Sequence, residues 1–264
     1  MSDETCEDGV VETEGYVAVI DGATSKSPMR YDGQKGGKVA MQLAKDCIKR
    51  MPSHYSAAEA VEMLTRNVRE YYQKLGVWEK VRDDASARLT CSLVLYSKAR
   101  NEVWMIGDCQ FRYAYRTYTN EKRGDILLAN IRADILKYFL QQGHTLEDLR
   151  RNDMGRAFIL DALRDQCNFQ NAPISNPYSF VVLDGFPIDM GRVPVYKLAE
   201  ATAHERLILA SDGYPVLCDT FEETERELQN VLRKDPLCME LNVATKGMVA
   251  GQKSFDDRTY VVLV

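Results

Sequence analysis

Tyr16-Val-Ala-Val-Ile-Asp21-Gly22 is the stretch from which the rest of the chain is read. Its first five residues are apolar or aromatic, with β-branched members among them, and predict a strand buried on both faces. An Asp-Gly pair follows at once. The strand therefore holds a carboxylate at its mouth, and Gly22 leaves a bare backbone carbonyl beside it. An isolated Asp-Gly pair most simply turns the chain, so the meaning of Asp21 depends on what partners the sequence supplies.

Upstream, Glu7-Asp8-Gly9 leads into Val10-Val11, and an acidic turn over Glu12–Gly15 predicts a hairpin with the Tyr16 strand. Downstream lies a polar, Gly-containing loop from Ala23 to Gly37 that carries Lys26, Arg30, Lys35 and, just beyond, Lys38. Helical spacing of Val39, Leu43, Cys47 and Ile48 predicts a helix over about 38–51, stopped by Pro52. Ser56 and Glu59 form the signature of a capping box opening a second helix to about Leu75.

From Leu89 the period becomes two, and Leu89–Tyr96, Val103–Ile106 and Phe111–Tyr115 predict an antiparallel meander. A helical pair is expected over about 124–166, inserted between strands. Strands follow at Tyr178–Leu183 and Leu207–Ala210, helices at about 221–233 and 237–247, and a last strand at 259–264. No repeat or linker marks a boundary, so one domain spanning 1–264 is expected.

The chain has 264 residues, 45% hydrophobic and 28% charged, enough for a sizeable core and unlike a disordered composition. A net charge of -5 disfavours a general nucleic-acid binder. No apolar run approaches the roughly 20 residues of a spanning helix, and Met1-Ser-Asp-Glu-Thr is acidic where a signal peptide is basic. Seven cysteines without a C-x-x-C pair suit reduced thiols. The expected setting is the cytoplasm, with no membrane and no nucleic-acid partner; the oligomeric state is left unassigned.

Asp-Gly occurs five times, at Asp8, Asp21, Asp32, Asp184 and Asp212, against about one expected from ordinary glycine usage. Asp21, Asp108 and Asp212 each follow a predicted strand and Asp256 precedes one, so the four can converge at one edge of a sheet. Their oxygens are hard donors. His54, His144 and His204 lie scattered in polar segments, which argues for Mg2+ or Mn2+ over zinc. Two carboxylates about 4 Å apart repel by on the order of 4 kcal/mol at an effective dielectric of about 20. Such a cluster needs cations or raised pKa values, and a pair of divalent ions suits phosphate-ester hydrolysis.

The order of motifs resembles the metal-dependent Ser/Thr protein phosphatases of the type 2C class over nearly the whole length. The matching pieces are Cys6-Glu-Asp-Gly9, Tyr16–Gly22, Gly36-Gly-Lys-Val-Ala40, Leu89–Tyr96, Ile106-Gly-Asp-Cys-Gln110, Leu207–Tyr214 and Phe255-Asp-Asp-Arg-Thr259. The resemblance implies an α+β fold, a four-layer αββα sandwich with two central antiparallel sheets. It implies hydrolysis of phosphoserine and phosphothreonine in protein substrates by direct attack of a metal-bridging water, with two Mg2+ or Mn2+ ions and a third, weaker site. Carried over by position, Asp21 bridges the ions, Gly22 offers its carbonyl, and Asp212 and Asp256 bind the second ion. Glu7 and Asp8 match the N-terminal acidic pair, and Asp108 the third site.

Several positions depart from that pattern. No Arg precedes the acidic pair, Ala23 stands where some members carry His, the loop after Gly22 is long, and the usual Gly-Asp-Ser-Arg is Gly107-Asp-Cys-Gln110. Lys26, Arg30 and Lys35 are the candidates for holding phosphate; a basic loop is otherwise a solvated one. Cys91 and Cys109 lack a following phosphate loop and read as packing residues. A haloacid-dehalogenase reading of Ile20–Thr24 fails because Ala23 occupies the place of that family's second Asp. The alternative from another class is a pseudophosphatase, the same fold kept as a protein-binding signalling module.

Overall fold

The computed structural model describes residues 6–24, 26–173, 176–199 and 206–263. The predicted hairpin is present. Strands β1 (Asp8–Glu12) and β2 (Tyr16–Gly22) pair antiparallel, and β2 pairs on its other edge with β3 (Cys91–Ser97). With β4 (Glu102–Ile106) and β7 (Val195–Lys197) they form a sheet ordered β1-β2-β3-β4-β7. A second sheet, β6-β5-β8-β9, comprises β5 (Gln110–Tyr113), β6 (Arg116–Tyr118), β8 (Leu207–Ala210) and β9 (Tyr260–Leu263). All strand pairs are antiparallel.

β2 is apolar on both faces because both are covered. Tyr16, Ala18 and Ile20 pack with Ala44 and Ile48 of α1 (Gly36–Lys49) and Leu64 and Val68 of α2 (Ala57–Lys74). Val17 and Val19 turn the other way, onto Phe111 and Leu209 of the second sheet. That sheet's outer residues, Ile208 and Ala210, meet Leu228 and Leu232 of α7 (Phe221–Lys234). The layers are helix, sheet, sheet, helix: the αββα sandwich that the resemblance implies. The capping box of Ser56 and Glu59 opens α2.

A short α3 (Trp78–Asp83) precedes β3. The expected helical pair is three helices, α4 (Arg123–Gln141), α5 (Leu146–Arg151) and α6 (Met154–Asp165), broken where Asp153 caps α6. Leu128 of α4 packs on Ile159 and Leu163 of α6. No helix among the described residues is long and apolar enough to cross a membrane.

Four expectations are corrected. The meander does not stay in one sheet: at Gly107, whose φ is +90, the chain leaves β4 and enters the second sheet, and a Cβ there would overlap the Ser92 side chain. The expected third strand is a hairpin, β5 and β6, because Ala114 (φ 49) and Tyr115 (φ 61) are both left-handed, the geometry of a tight hairpin turn. Residues 178–183 form only isolated bridges, Gln170 to Phe180 and Cys91 to Leu183. The Asn171 side chain takes the place of a neighbouring strand, accepting from Val182 N–H and donating to Val182 O.

The helix expected at 237–247 is absent too. The Asp235 carboxylate gathers the N–H groups of Met239, Glu240 and Leu241 at 2.8–3.0 Å, and Cys238 has φ 51. A carboxylate accepting successive amides curls the chain into turns in place of a helical ladder. Those turns end in the loop that carries Lys246.

Candidate functional site

Strand register assembles the site. Asp8, Asp21 and Ser92 stand opposite one another on β1, β2 and β3, so they form one row at the end of the first sheet. Gln110, Ala210 and Tyr260 form the matching row of the second. Asp212 lies just past Ala210, and Asp256 just before β9. Ser211 joins the sheets: its Oγ donates to Asp8 Oδ2 at 2.7 Å and accepts from Thr259 N–H at 2.9 Å.

Beside this row is a cleft of about 150 Å³ whose walls include Asp21, Asp108, Asp212 and Asp256. Five cationic side chains share it: Lys26, Arg88, Lys122, Arg156 and Lys246. Sequence reasoning brought the four aspartates to one edge, and the structure places them around this one cleft. Glu7 and Asp8 lie buried beside it. Of the basic candidates, Lys26 lines the cleft, whereas Arg30 and Lys35 are exposed outside it.

Backbone geometry at Gly22 is specific. Gly22 N–H donates to Glu7 O at 3.1 Å. The return bond of that antiparallel pair would run from Glu7 N–H to Gly22 O, but Glu7 N–H instead donates to Asp257 Oδ2 at 2.9 Å. The Gly22 carbonyl is thereby released from the ladder. A Cβ on Gly22 would overlap the Gly37 carbonyl at the start of α1, so only glycine fits.

Electrostatics divide the carboxyls into two groups. Burial first, and then the Asp8, Asp256 and Asp108 charges, push Asp21 well above the carboxylate range, with Asp212 beside it acting the other way. Desolvation by surrounding protein and then the Asp21, Asp108 and Asp256 charges raise Asp212 likewise. Because Asp212 is open to the cleft, the neighbouring charges are the firmer cause of its direction. Burial raises Asp8 to about 6 against the Ser211 and Thr259 hydrogen bonds, and burial also raises Glu7.

Asp108 behaves oppositely. Burial works to raise it, but Lys122 Nζ at 2.7 Å and Ser92 Oγ at 2.5 Å hold it below its ordinary value. Lys246 pairs with Asp256 Oδ1, which also accepts from Asp257 N–H at 2.9 Å. Against the cost of burial, the Asp256, Asp212 and Asp21 charges raise Lys246. Lys26 is pushed down to about 8 by burial and by the Arg156 and Lys246 charges.

The donor chemistry suits a hard divalent cation only in part. Glu7 Oε1 and Asp8 Oδ1 are buried with no hydrogen-bond partner, and a buried unpaired carboxylate oxygen is costly. Asp21, Asp212 and the Gly22 carbonyl are further oxygen donors of the kind a hard divalent ion takes. Asp108 and Asp256 are already neutralised by lysines, and among the described residues no three His, Cys, Asp or Glu side chains form a ready metal-holding group. The carboxyls with no lysine against them, Asp21, Asp212, Glu7 and Asp8, are the ones whose chemistry suits a hard divalent ion.

The histidines stay outside this chemistry: His54 and His144 are exposed, and His204 lies outside the described residues. All seven cysteines are free thiols, and burial raises those of Cys91 and Cys109, with Asp21 the next cause for both. Lys122, Arg156 and Lys246 were missed in the sequence. Lys122 and Arg156 carry no local signal, and Lys246 fell inside an expected helix.

No family model matches the sequence, and no curated protein matches it. Solved structures similar to the chain include PppA, a key regulatory component of T6SS in Pseudomonas aeruginosa. It has 13% identity, coverage of 97% of this chain and 89% of that one, and a TM-score of 0.44. The catalytic domain of the serine threonine protein phosphatase PstP, in complex with two manganese ions, has 15% identity, 99% and 92% coverage, and a TM-score of 0.45. The PPM Ser-Thr phosphatase MsPP from Mycobacterium smegmatis, in complex with cacodylate, has 16% identity, 99% and 92% coverage, and a TM-score of 0.44.

Proposed function

We propose that this chain is a phosphoprotein phosphatase of the type 2C kind, hydrolysing phosphoserine and phosphothreonine monoesters with the help of a divalent cation, Mg2+ or Mn2+. The observation that carries the reading is the convergence of Asp21 and Asp212, beside a released Gly22 carbonyl, on one cleft that also holds Lys26 and Arg156. The motif order in the sequence supports the same reading, and the free thiols support a reducing, cytoplasmic setting.

Each part has a task. Asp21 and Asp212 hold the cation with the Gly22 carbonyl, and Asp8 and Glu7 back them from the buried side. A divalent ion bound there supplies charge against the phosphoryl oxygens and acidifies water. Arg156 binds and orients the phosphate dianion, fixed for this by donating from Nη1 to Thr245 O at 2.7 Å. Lys26 Nζ, with a pKa of about 8, holds a proton for the departing seryl or threonyl oxygen, the role left open by Ala23.

The pairing of Asp108 with Lys122 and of Asp256 with Lys246 favours a second reading, a binding module that engages phosphorylated partners without turnover. The two separate on one assay. Mn2+-dependent phosphate release from p-nitrophenyl phosphate and from phosphopeptides, abolished in Asp21→Asn and Asp212→Asn, is the expected result. Phosphopeptide binding without release at saturating Mn2+ overturns it in favour of the module.

A further inference from the structure

The cation reading above makes Lys246 a decisive residue. We propose that Lys246 is a built-in counter-cation that occupies Asp256 and limits the site to one divalent ion. Asp256 Oδ1 takes both the Lys246 ammonium and the Asp257 N–H, so an incoming ion at Asp256 has to displace a tethered charge.

The tether is held on both sides. Arg132, fully buried in α4, donates to Ala244 O at 2.9 Å, and Arg156 of α6 donates to Thr245 O at 2.7 Å. On the far side, Met248 N–H donates to Pro236 O at 2.9 Å, and Arg150 Nε of α5 donates to Met248 O at 3.3 Å. All three helices of the insert thus grip the loop that delivers Lys246. A charge fixed this way presents an effective concentration at Asp256 of millimolar or more, which free Mn2+ has to exceed.

A second, independent feature points to an ion beside the lysine. Glu7 Oε1 and Asp8 Oδ1 are buried and unpartnered, whereas Lys246 neutralises Asp256. Asp21, Asp212 and the acidic pair have no ion pair among the described residues, whereas Asp256 is paired with Lys246. The insert's role in this account is to set the number of ions, by placing one lysine.

Mn2+ stoichiometry tests this, read by titration calorimetry and by the loss of the free-Mn2+ paramagnetic signal. One ion per chain is expected for the wild type and for Lys246→Arg. Two are expected for Lys246→Met, which keeps the apolar stem, and one again for Lys246→Met with Asp256→Asn. Circular dichroism confirms folding of each variant, and Lys246→Ala serves if the Met variant misfolds. Two ions in the wild type, or one in both Lys246→Met and Lys246→Ala, overturn the proposal while leaving the cation reading intact. No binding in any variant overturns both.

Discussion

Ser211 Oγ donates to Asp8 Oδ2 at 2.7 Å, joining the end of β8 in one sheet to the start of β1 in the other. Asp8 is buried and its second oxygen already lacks a partner. Ser211→Ala removes the partner of the first. Leaving a buried acceptor unpaired costs about 1–3 kcal/mol, so urea denaturation should show a loss of that size, and Ser211→Thr should retain most of the stability.

Asp8 also sets a pH dependence. Its folded pKa of about 6 lies above the ordinary 3.8, so the folded state binds the proton more tightly than the unfolded chain. That contribution is fully present below the unfolded value and is lost as pH rises through the folded one. Without divalent ions, stability should therefore fall from about pH 4 to about pH 6, by on the order of 3 kcal/mol. Calorimetric melting in chelator across this range should show the fall, and Asp8→Asn should flatten it.

Arg132 is the hinge between insert and sandwich. It is fully buried, pairs with Asp153 at 2.7 Å and donates to the carbonyls of Cys238 and Ala244. Arg132→Met leaves Asp153 and two carbonyls without their donor, a loss of about 3–5 kcal/mol by analogy with other broken buried pairs. Chemical denaturation gives the magnitude, and proteolytic cleavage between 238 and 248 should accelerate.

Lys26 and Arg156 divide binding from proton transfer. Arg156→Met should raise KM about tenfold with a smaller change in kcat, the loss of roughly 1.4 kcal/mol of phosphate binding. Lys26→Met should lower kcat on phosphopeptides and spare p-nitrophenyl phosphate, whose leaving group needs no proton. In the wild type, kcat on phosphopeptides should decline above about pH 8 as Lys26 loses its proton.

The framework was legible because its signals are local. The run Tyr16–Ile20 is apolar on both faces and is covered on both; Ser56 and Glu59 are three residues apart and form their box. Asp21, Asp108, Asp212 and Asp256 were placed together from strand ends alone, and line one cleft. What stayed hidden depends on distant partners. Ala114 and Tyr115 carry no turn signature, yet both are left-handed. Residues 237–247 have a helical pattern, and one carboxylate, Asp235, overrides it. Lys246 reaches Asp256 only because the insert helices fix its loop, and no spacing in the sequence encodes that grip.

Phosphate release from a phosphoserine peptide, measured with and without Mn2+ on the wild type, Asp21→Asn and Asp212→Asn, tests the central claim most directly. Mn2+-dependent turnover is expected in the wild type, reduced at least a hundredfold in each variant, with both variants folded by circular dichroism. Turnover that persists in folded Asp21→Asn, or none from Mn2+-loaded wild type on any phosphopeptide, would contradict it.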